Sequence, residues 1–377
     1  MHSLPSVKRR VCRQPVHGGI TSVRGLAGGV DWLDFSVSVN PFGPKKSVIE
    51  AVAHAPIDVY PDSEATALKE SCARCFNYPE EHIFVTAGST EALWLLSSIY
   101  LSKGDHVIAI GPTYGDYQVA SEFYGASVTV LQQPWLEGAC KHSVADVFKT
   151  SFSSGFVSDD FLLAAAERIP VLRPVFVFLC NPNNPTGDYV SRDAVLSLAT
   201  SCDEAGSILI VDEAYRNFVD KPYDLAEEVL HHNLILLRSM TKDFALASVR
   251  VGYLLGAEPI IRSLSESAMP WRISSQAIAA GCAAVDSRAL YAADWNELHR
   301  ITRKLSCDLE EVGCMVYPSA VNFLLLYFPE ADLSARLRKE GILVRDCTSF
   351  GLNGMLRIGT RLPQDNERLI DAMRKLT

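Results

Sequence analysis

The sequence predicts an α/β protein: a large domain built on a seven-stranded, mostly parallel sheet between helices, plus a smaller C-terminal α/β domain. Three observations carry this. Short apolar runs alternate with helical patterns from residue 82 to residue 256, the mark of a doubly wound sheet. The pattern changes after Glu258, where long helical stretches precede a few short strands. The chain also has 377 residues, of which 48% are apolar, enough to bury more than one core.

Taken in order, residues 1–30 are glycine-rich without periodicity and read as an irregular arm that either frays or lies over a partner. Residues 31–44 alternate apolar and polar side chains, then break at Asn40-Pro41 and Gly43-Pro44, giving a short strand and turns. Helices are expected over 47–53 and 65–78. Strands follow at 83–86, 107–110, 127–131, 175–179, 208–211, 234–237 and 251–255, with helices at 91–101, 116–124, 160–168 and, capped by Ser191, up to 205. Residues 133–160 read as irregular. Beyond 258, helices are expected at 274–287, 290–312, 333–340 and from 365 onward, and strands at 322–328, 342–345 and 357–359. The expected division is an arm over 1–45, a large domain over 46–258 and a small domain over 259–377.

Charge and cysteine usage narrow the function. A net charge of -9 leaves no basic stripe to neutralise nucleic-acid phosphates, and Lys8-Arg9-Arg10 is the only basic run, read as a solvated tail. No apolar run reaches membrane-spanning length, and the N-terminal residues make no signal-peptide core. Ten cysteines lie scattered without metal-ligand spacing; Cys72-x-x-Cys75 falls in a helical pattern with no second pair, so no metal site is expected. A reduced, cytoplasmic protein follows.

The chemistry gathers at the ends of strands, where doubly wound sheets collect their ligands. Lys242 sits between two buried strands, flanked by Ser239 and Thr241 and followed by Arg250. Desolvation there drives a lysine toward the neutral, nucleophilic amine that a Schiff base with a carbonyl cofactor requires. Gly88, Ser89 and Thr90 open a helix after a strand, which suits either a phosphate seat or a simple capped start. Asp212 closes an apolar strand and needs a fixed cation, a protonated pyridine ring being one candidate and a structural salt bridge another. Residues 181–187, Asn-Pro-Asn-Asn-Pro-Thr-Gly, form a rigid polar loop that can hold an amide against a ligand oxygen. Arg357 emerges from an apolar strand, as a carboxylate receptor or as one half of an ion pair.

Asn184-Pro185-Thr186-Gly187, Asp212-x-x-Tyr215, Ser239-x-x-Lys242, Arg250 eight residues later and Arg357 near the C-terminus together resemble the pyridoxal-phosphate enzymes of the aspartate aminotransferase fold. Within them the sequence is most similar to the branch of histidinol-phosphate aminotransferases and threonine-phosphate decarboxylases. His17-Gly18-Gly19, LDFSVSVNPFG, Tyr60-Pro61-Asp62, LRSMTKDFAL, Met269-Pro270-Trp271 and GILVRDCTSFG resemble its decarboxylase-like side.

The resemblance implies a role for each residue. Lys242 would bind pyridoxal 5'-phosphate covalently and then move a proton at the substrate α-carbon. Asp212 would face the ring nitrogen, Asn184 and Tyr215 the phenolic oxygen, and Tyr114 the ring face. Gly88, Ser89, Thr90, Ser239, Thr241 and Arg250 would hold the phosphate, and Tyr60 would reach the phosphate of a neighbouring subunit in a homodimer. Arg357, Arg345, His17 and Asn40 would meet the substrate, an amino acid or amino phosphate that exchanges its amino group with a keto acid. Two departures bear on that substrate: Ser38 stands where the decarboxylase-like pattern has asparagine, and Arg272 where it has a small residue. The expectation is an aminotransferase. The alternatives are a decarboxylase making an amino alcohol phosphate for corrinoid synthesis and, from another class, a non-catalytic ligand-binding module. A nicotinamide dehydrogenase is disfavoured, because no Gly-x-Gly-x-x-Gly follows a strand in this sequence.

Overall fold

The computed structural model describes residues 17–20, 31–137, 143–329 and 332–376. The Lys8-Arg9-Arg10 run and most of the glycine-rich arm lie outside them. All seven expected strands of the large sheet form: β2 (Ile83–Thr86), β3 (His106–Ile110), β4 (Ser127–Leu131), β5 (Phe176–Cys180), β6 (Ile208–Asp212), β7 (Leu234–Ser239) and β8 (Gly252–Leu255), preceded by the two-residue β1 (Leu33–Asp34). Their order is β2-β8-β7-β6-β5-β3-β4. Pairings among β3 to β7 are parallel, while β8 runs antiparallel to both β7 and β2. Because helices cover both faces, β5 and β7 are buried at every residue, so the sequence shows unbroken apolar runs rather than alternation.

The C-terminal part adds β9 (Met315–Val316), β10 (Phe323–Tyr327), β11 (Ile342–Leu343), β12 (Arg345–Asp346) and β13 (Met355–Gly359). Four of these make an antiparallel sheet in the order β12-β13-β10-β9. The fifth, β11, pairs in parallel with β1, so the end of the N-terminal arm is built into the small module. By packing, the segment beyond 259 serves both cores. Ile273, Ala277, Tyr291 and Trp295 join the core of the large sheet, while Leu305 and Leu309 join the small one around Leu326, Ile358 and Leu369.

Residues 133–160 depart from the expected irregular segment. They contain a short helix, Pro134–Glu137, and a longer one, Val144–Ser154, ahead of Asp159–Ala166, which is the helix expected at 160–168. The hydroxyls of Ser143 and Ser158 accept hydrogen bonds from Asp146 N–H and Phe161 N–H, capping the two helix starts. The serines that disguised this stretch as a loop are in part the caps of its helices. Cys72 and Cys75 lie in one helix, Thr66–Phe76, and Cys72 is buried. Among the described residues no helix is long and apolar enough to cross a membrane.

Candidate active site

Five segments leave the carboxyl ends of β2, β3, β5, β6 and β7 on one edge of the sheet and, with β12, β13 and the arm, enclose a cavity of about 240 Å3. Of the residues expected in the site, His17, Ser89, Thr90, Tyr114, Asn184, Asp212, Tyr215, Ser239, Thr241, Lys242, Arg250, Arg345 and Arg357 all line it. Residues as far apart in the chain as His17 and Arg357 are thus brought to one place.

Lys242 lies deep in this cavity. Burial, with Arg250 and Arg357 nearby, lowers its amine to a pKa of about 8, against the opposing pull of Asp212 and Asp243. Among the described residues its Nζ has no hydrogen-bond partner, so the amine faces the cavity. Asp212 ends β6 and is 4% exposed. Burial raises its carboxyl to about 6, although Tyr117 O–H donates to Oδ2 at 2.9 Å and Ala214 N–H to Oδ1 at 3.0 Å. Tyr117 was not among the expected residues. Its ring lies parallel to Phe178 at 4.9 Å, which fixes the hydroxyl on the carboxylate. Cys180 stands level with Asp212 on the neighbouring strand; its thiol, raised to about 12 by burial, donates to the Pro182 carbonyl.

One end of the cavity is a hydroxyl and amide cradle. The helix Ser89–Tyr100 begins there, and Ser239 Oγ and Thr241 Oγ1 are 2.7 Å apart. Gly88 has φ +83°, and a Cβ on it would sit 2.9 Å from Arg250 Nη2, so the absent side chain leaves Arg250 its place beside the helix start. Gly88 therefore shapes the cradle without lining it. At the other end, Arg345 and Arg357 are register neighbours on β12 and β13. Arg357 donates from Nη2 to the Ser36 carbonyl at 2.7 Å and from Nη1 to Asn184 Oδ1, which leaves the Nδ2 of Asn184 as its donor toward the cavity. Arg345 donates to Ser349 Oγ at 2.6 Å. Tyr215 is buried edge-on against Phe323, and its hydroxyl is raised to about 12 by burial. Tyr114 O–H donates to Asp116 Oδ2 at 2.6 Å, and His17 Nε2 lies 3.5 Å from Asp116 Oδ1, so the arm closes against the Tyr114 segment.

Three expected residues stand elsewhere. Asn40 is not at the cavity: its Nδ2 donates to the Asp243 carbonyl at 3.1 Å and to Asp294 Oδ2 at 3.3 Å, and its N–H to the Lys242 carbonyl at 2.8 Å. It braces the lysine segment, and its Oδ1 accepts from Phe42 N–H in the turn that follows, at 3.1 Å. Arg272 is also away from the cavity. Its side chain donates to Glu91 Oε2 at 2.8 Å and to the Val85 carbonyl at 2.5 Å, over the Phe84 ring, inside the large domain. Of the two departures, only Ser38 lines the cavity. Tyr60 is 77% exposed and stacks on Trp271 at 4.5 Å, on the outer surface.

With this geometry in hand, the chain can be set beside known proteins. The family model for aminotransferase class I and II matches residues 30–373. A histidinol-phosphate aminotransferase of Archaeoglobus fulgidus is 31% identical, covering 91% of this chain and 93% of that protein. One from Symbiobacterium thermophilum is 28% identical over 99% of this chain and 98% of its own length. Among solved structures, the histidinol-phosphate aminotransferase of Sinorhizobium meliloti in complex with pyridoxal-5'-phosphate superposes with a TM-score of 0.76 at 21% identity, covering 90% of each chain. The L-threonine-O-3-phosphate decarboxylase of Porphyromonas gingivalis gives 0.74 at 23%, covering 91% of this chain and 98% of the other. The two structures share the fold, and the sequence matches go further: the chain belongs to the class I and II aminotransferases, on the histidinol-phosphate aminotransferase branch.

Proposed function

We propose that the protein is a pyridoxal-phosphate-dependent aminotransferase acting on an amino phosphate of the histidinol-phosphate type or on an amino acid. The observation that carries this is Lys242: an enclosed amine near pKa 8, opening on the same cavity as the buried Asp212 and a pair of arginines. Two features support the fit of the cofactor. The cradle of Ser89, Thr90, Ser239, Thr241 and Arg250 offers donors without a competing carboxylate, as a phosphate needs. In the same cavity, Asp212 is a buried anion for which a protonated ring nitrogen is the matching cation.

When bound, pyridoxal phosphate supplies a carbonyl that condenses with amines and a ring that withdraws electrons. The chain does the rest. Lys242 would hold the cofactor, and its amine would take and return the proton at the substrate α-carbon. An amine near 8 exchanges protons readily at neutral pH. Asp212, steadied by Tyr117, would keep the ring nitrogen protonated. The Asn184 amide and the Tyr215 hydroxyl would donate to the phenolic oxygen, and Tyr114 would cover the ring face. Arg345 and Arg357 would take the anionic group of the substrate, with His17 lining the same cavity beside Tyr114. Tyr60 and Trp271, exposed side by side, meet a second copy in a homodimer working in the cytoplasm.

The test is single-turnover absorbance of the cofactor-loaded protein mixed with histidinol phosphate, threonine phosphate or common amino acids, without keto acid. The expected result is replacement of the aldehyde-form band by that of the amine form with one of these donors. A persistent band with consumption of threonine phosphate and release of carbon dioxide would make the protein a decarboxylase instead.

A further inference from the structure

The loop after β5 carries Asn184, and a chain of hydrogen bonds ties that loop to the C-terminal module. Asn183 Nδ2 donates to the Pro112 carbonyl and to Thr186 Oγ1, both at 2.9 Å. Thr186 Oγ1 donates in turn to Asp188 Oδ2 at 2.6 Å, an oxygen that also accepts from Val157 N–H at 3.0 Å. From the other side, Tyr317 O–H donates to Asp188 Oδ1 at 2.6 Å. Tyr317 follows β9, and its N–H is bonded to the Leu325 carbonyl of β10, so it moves with the small sheet.

A second link lies beside the first. Ala320 N–H donates to the Gly187 carbonyl at 3.0 Å, and a Cβ on Gly187, at φ +81°, would fall 2.2 Å from Ser319 Oγ. Only glycine lets the two backbones meet so closely. The loop is also rigid within itself, with Asn183 N–H on the Asp188 carbonyl and Gly187 N–H on that of Asn183, both at 2.8 Å. Among the described residues Asp188 has no cation within ion-pair distance, so three neutral donors alone satisfy its carboxyl. Burial raises that carboxyl, and the bonds from Thr186 and Tyr317 oppose the shift.

We infer that Asp188 is a positioning residue that fixes the donor Asn184 presents to the cavity to the place of the C-terminal module, through Tyr317 on one side and Thr186 and Asn183 on the other. Asn184 is then held twice from that module, directly by Arg357 and through Asp188. Asn183 and Thr186 donate in series and end on the same carboxylate that takes Tyr317, so losing that carboxylate or either end loosens the whole. The same chain ends on Pro112, two residues before Tyr114, so the ring-covering residue shares the anchor. The part concerning the cofactor rests on the reading of the cavity as a pyridoxal-phosphate site; the anchoring itself does not.

The experiment compares wild type, Asp188→Asn and the milder Tyr317→Phe with Asn184→Ala. The pH titration of cofactor absorbance is followed in the loaded proteins, and hydrogen exchange of segment 181–188 in the cofactor-free ones. Both anchor variants should move the titration midpoint in the same direction as Asn184→Ala, and Asp188→Asn added to Asn184→Ala should move it no further. Exchange at Asn183 and Gly187 should speed up roughly tenfold. A lowered melting temperature with wild-type midpoint and wild-type exchange would overturn the inference, leaving Asp188 a merely structural group. Should wild type take up no pyridoxal phosphate, the cofactor reading falls by itself, and unchanged exchange would still overturn the anchoring.

Discussion

At the scale of the residue, Lys242 and Asp212 are both displaced from their ordinary titration by burial, in opposite directions, and each displacement has a sign that can be checked. Lys242 loses its proton near pH 8 when folded and above pH 10 when unfolded. The unfolded state therefore binds more protons between about 8 and 10, and this group's burial penalty is complete below 8 and relieved as pH rises through that window. Carbamoylation of the cofactor-free protein by cyanate, read by peptide mass, should proceed at Lys242 with a midpoint near 8, while surface lysines follow one above 10. A common midpoint for all would remove the argument for an activated amine, and retention of turnover in Lys242→Ala would remove the residue from the chemistry. Asp212 is the reverse case. Its folded pKa of about 6 exceeds the unfolded value of 3.8, so the native state holds the extra proton and stability falls as pH rises from about 4 to 6. Two units correspond to about 3 kcal/mol, an upper figure for this one carboxyl. Denaturant titrations of the cofactor-free protein across that range should show a slope that Asp212→Asn reduces by this group's share, while the buried Asp243, raised to about 7, keeps its own. Tyr117→Phe, which removes a donor to the ionised form, should carry the upper end of the window to higher pH.

At the scale of the element, what was legible in the sequence followed from locality. Each strand of the large sheet is a run of apolar residues between turn signals, and each of the motifs around Asn184, Asp212 and Lys242 directly follows such a strand, so strand order and sheet edge together brought the motifs into one cavity. The helix Val144–Ser154 was hidden because Val147, Phe148 and Ser151 make a narrow buried face within a serine-rich stretch. Tyr117 and Tyr317 were hidden for another reason: their partners Asp212 and Asp188 lie 95 and 129 residues away, and neither hydroxyl marks itself in its local sequence. Asn40 and Arg272 show the converse. Polar side chains near motif residues looked like substrate contacts, yet a turn and a half-buried glutamate hold them elsewhere. The start of the helix Ser89–Tyr100 offers the sharpest test at this scale. In Gly88→Ala the added methyl must both hold φ +83° and displace Arg250. The protein should fold, with circular dichroism unchanged, while its affinity for pyridoxal phosphate in absorbance titrations falls about tenfold, roughly the worth of one charged hydrogen bond. Unaltered affinity would take Arg250 and this helix start out of the phosphate seat.

At the scale of the whole molecule, the surface leaves several large apolar side chains in water. Ile57, Val59, Tyr60, Met269 and Trp271 are each more than half exposed, and Tyr60 and Trp271 stack on each other there. A cluster of that kind is the mark of a face that another molecule covers. On the proposed homodimer, Tyr60 serves the site of the partner, and symmetry then makes a prediction that no single-chain account makes. Lys242→Ala removes a residue from a subunit's own cavity; Tyr60→Ala removes one from the partner's. Each variant alone forms dimers with two damaged sites. Subunits of the two variants, unfolded together and refolded at equal amounts, give hybrid dimers as about half of the population. In a hybrid, one site combines both defects, whereas the other joins the intact Lys242 of one subunit with the intact Tyr60 of the other. Half the dimers with one good site each should restore about a quarter of wild-type turnover. The two variants mixed without unfolding should stay inactive over the time that subunits take to exchange. If refolding restores nothing while each variant sediments as a dimer, Tyr60 does not cross to the neighbouring site. If both sediment as monomers, the exposed apolar face belongs to some other contact.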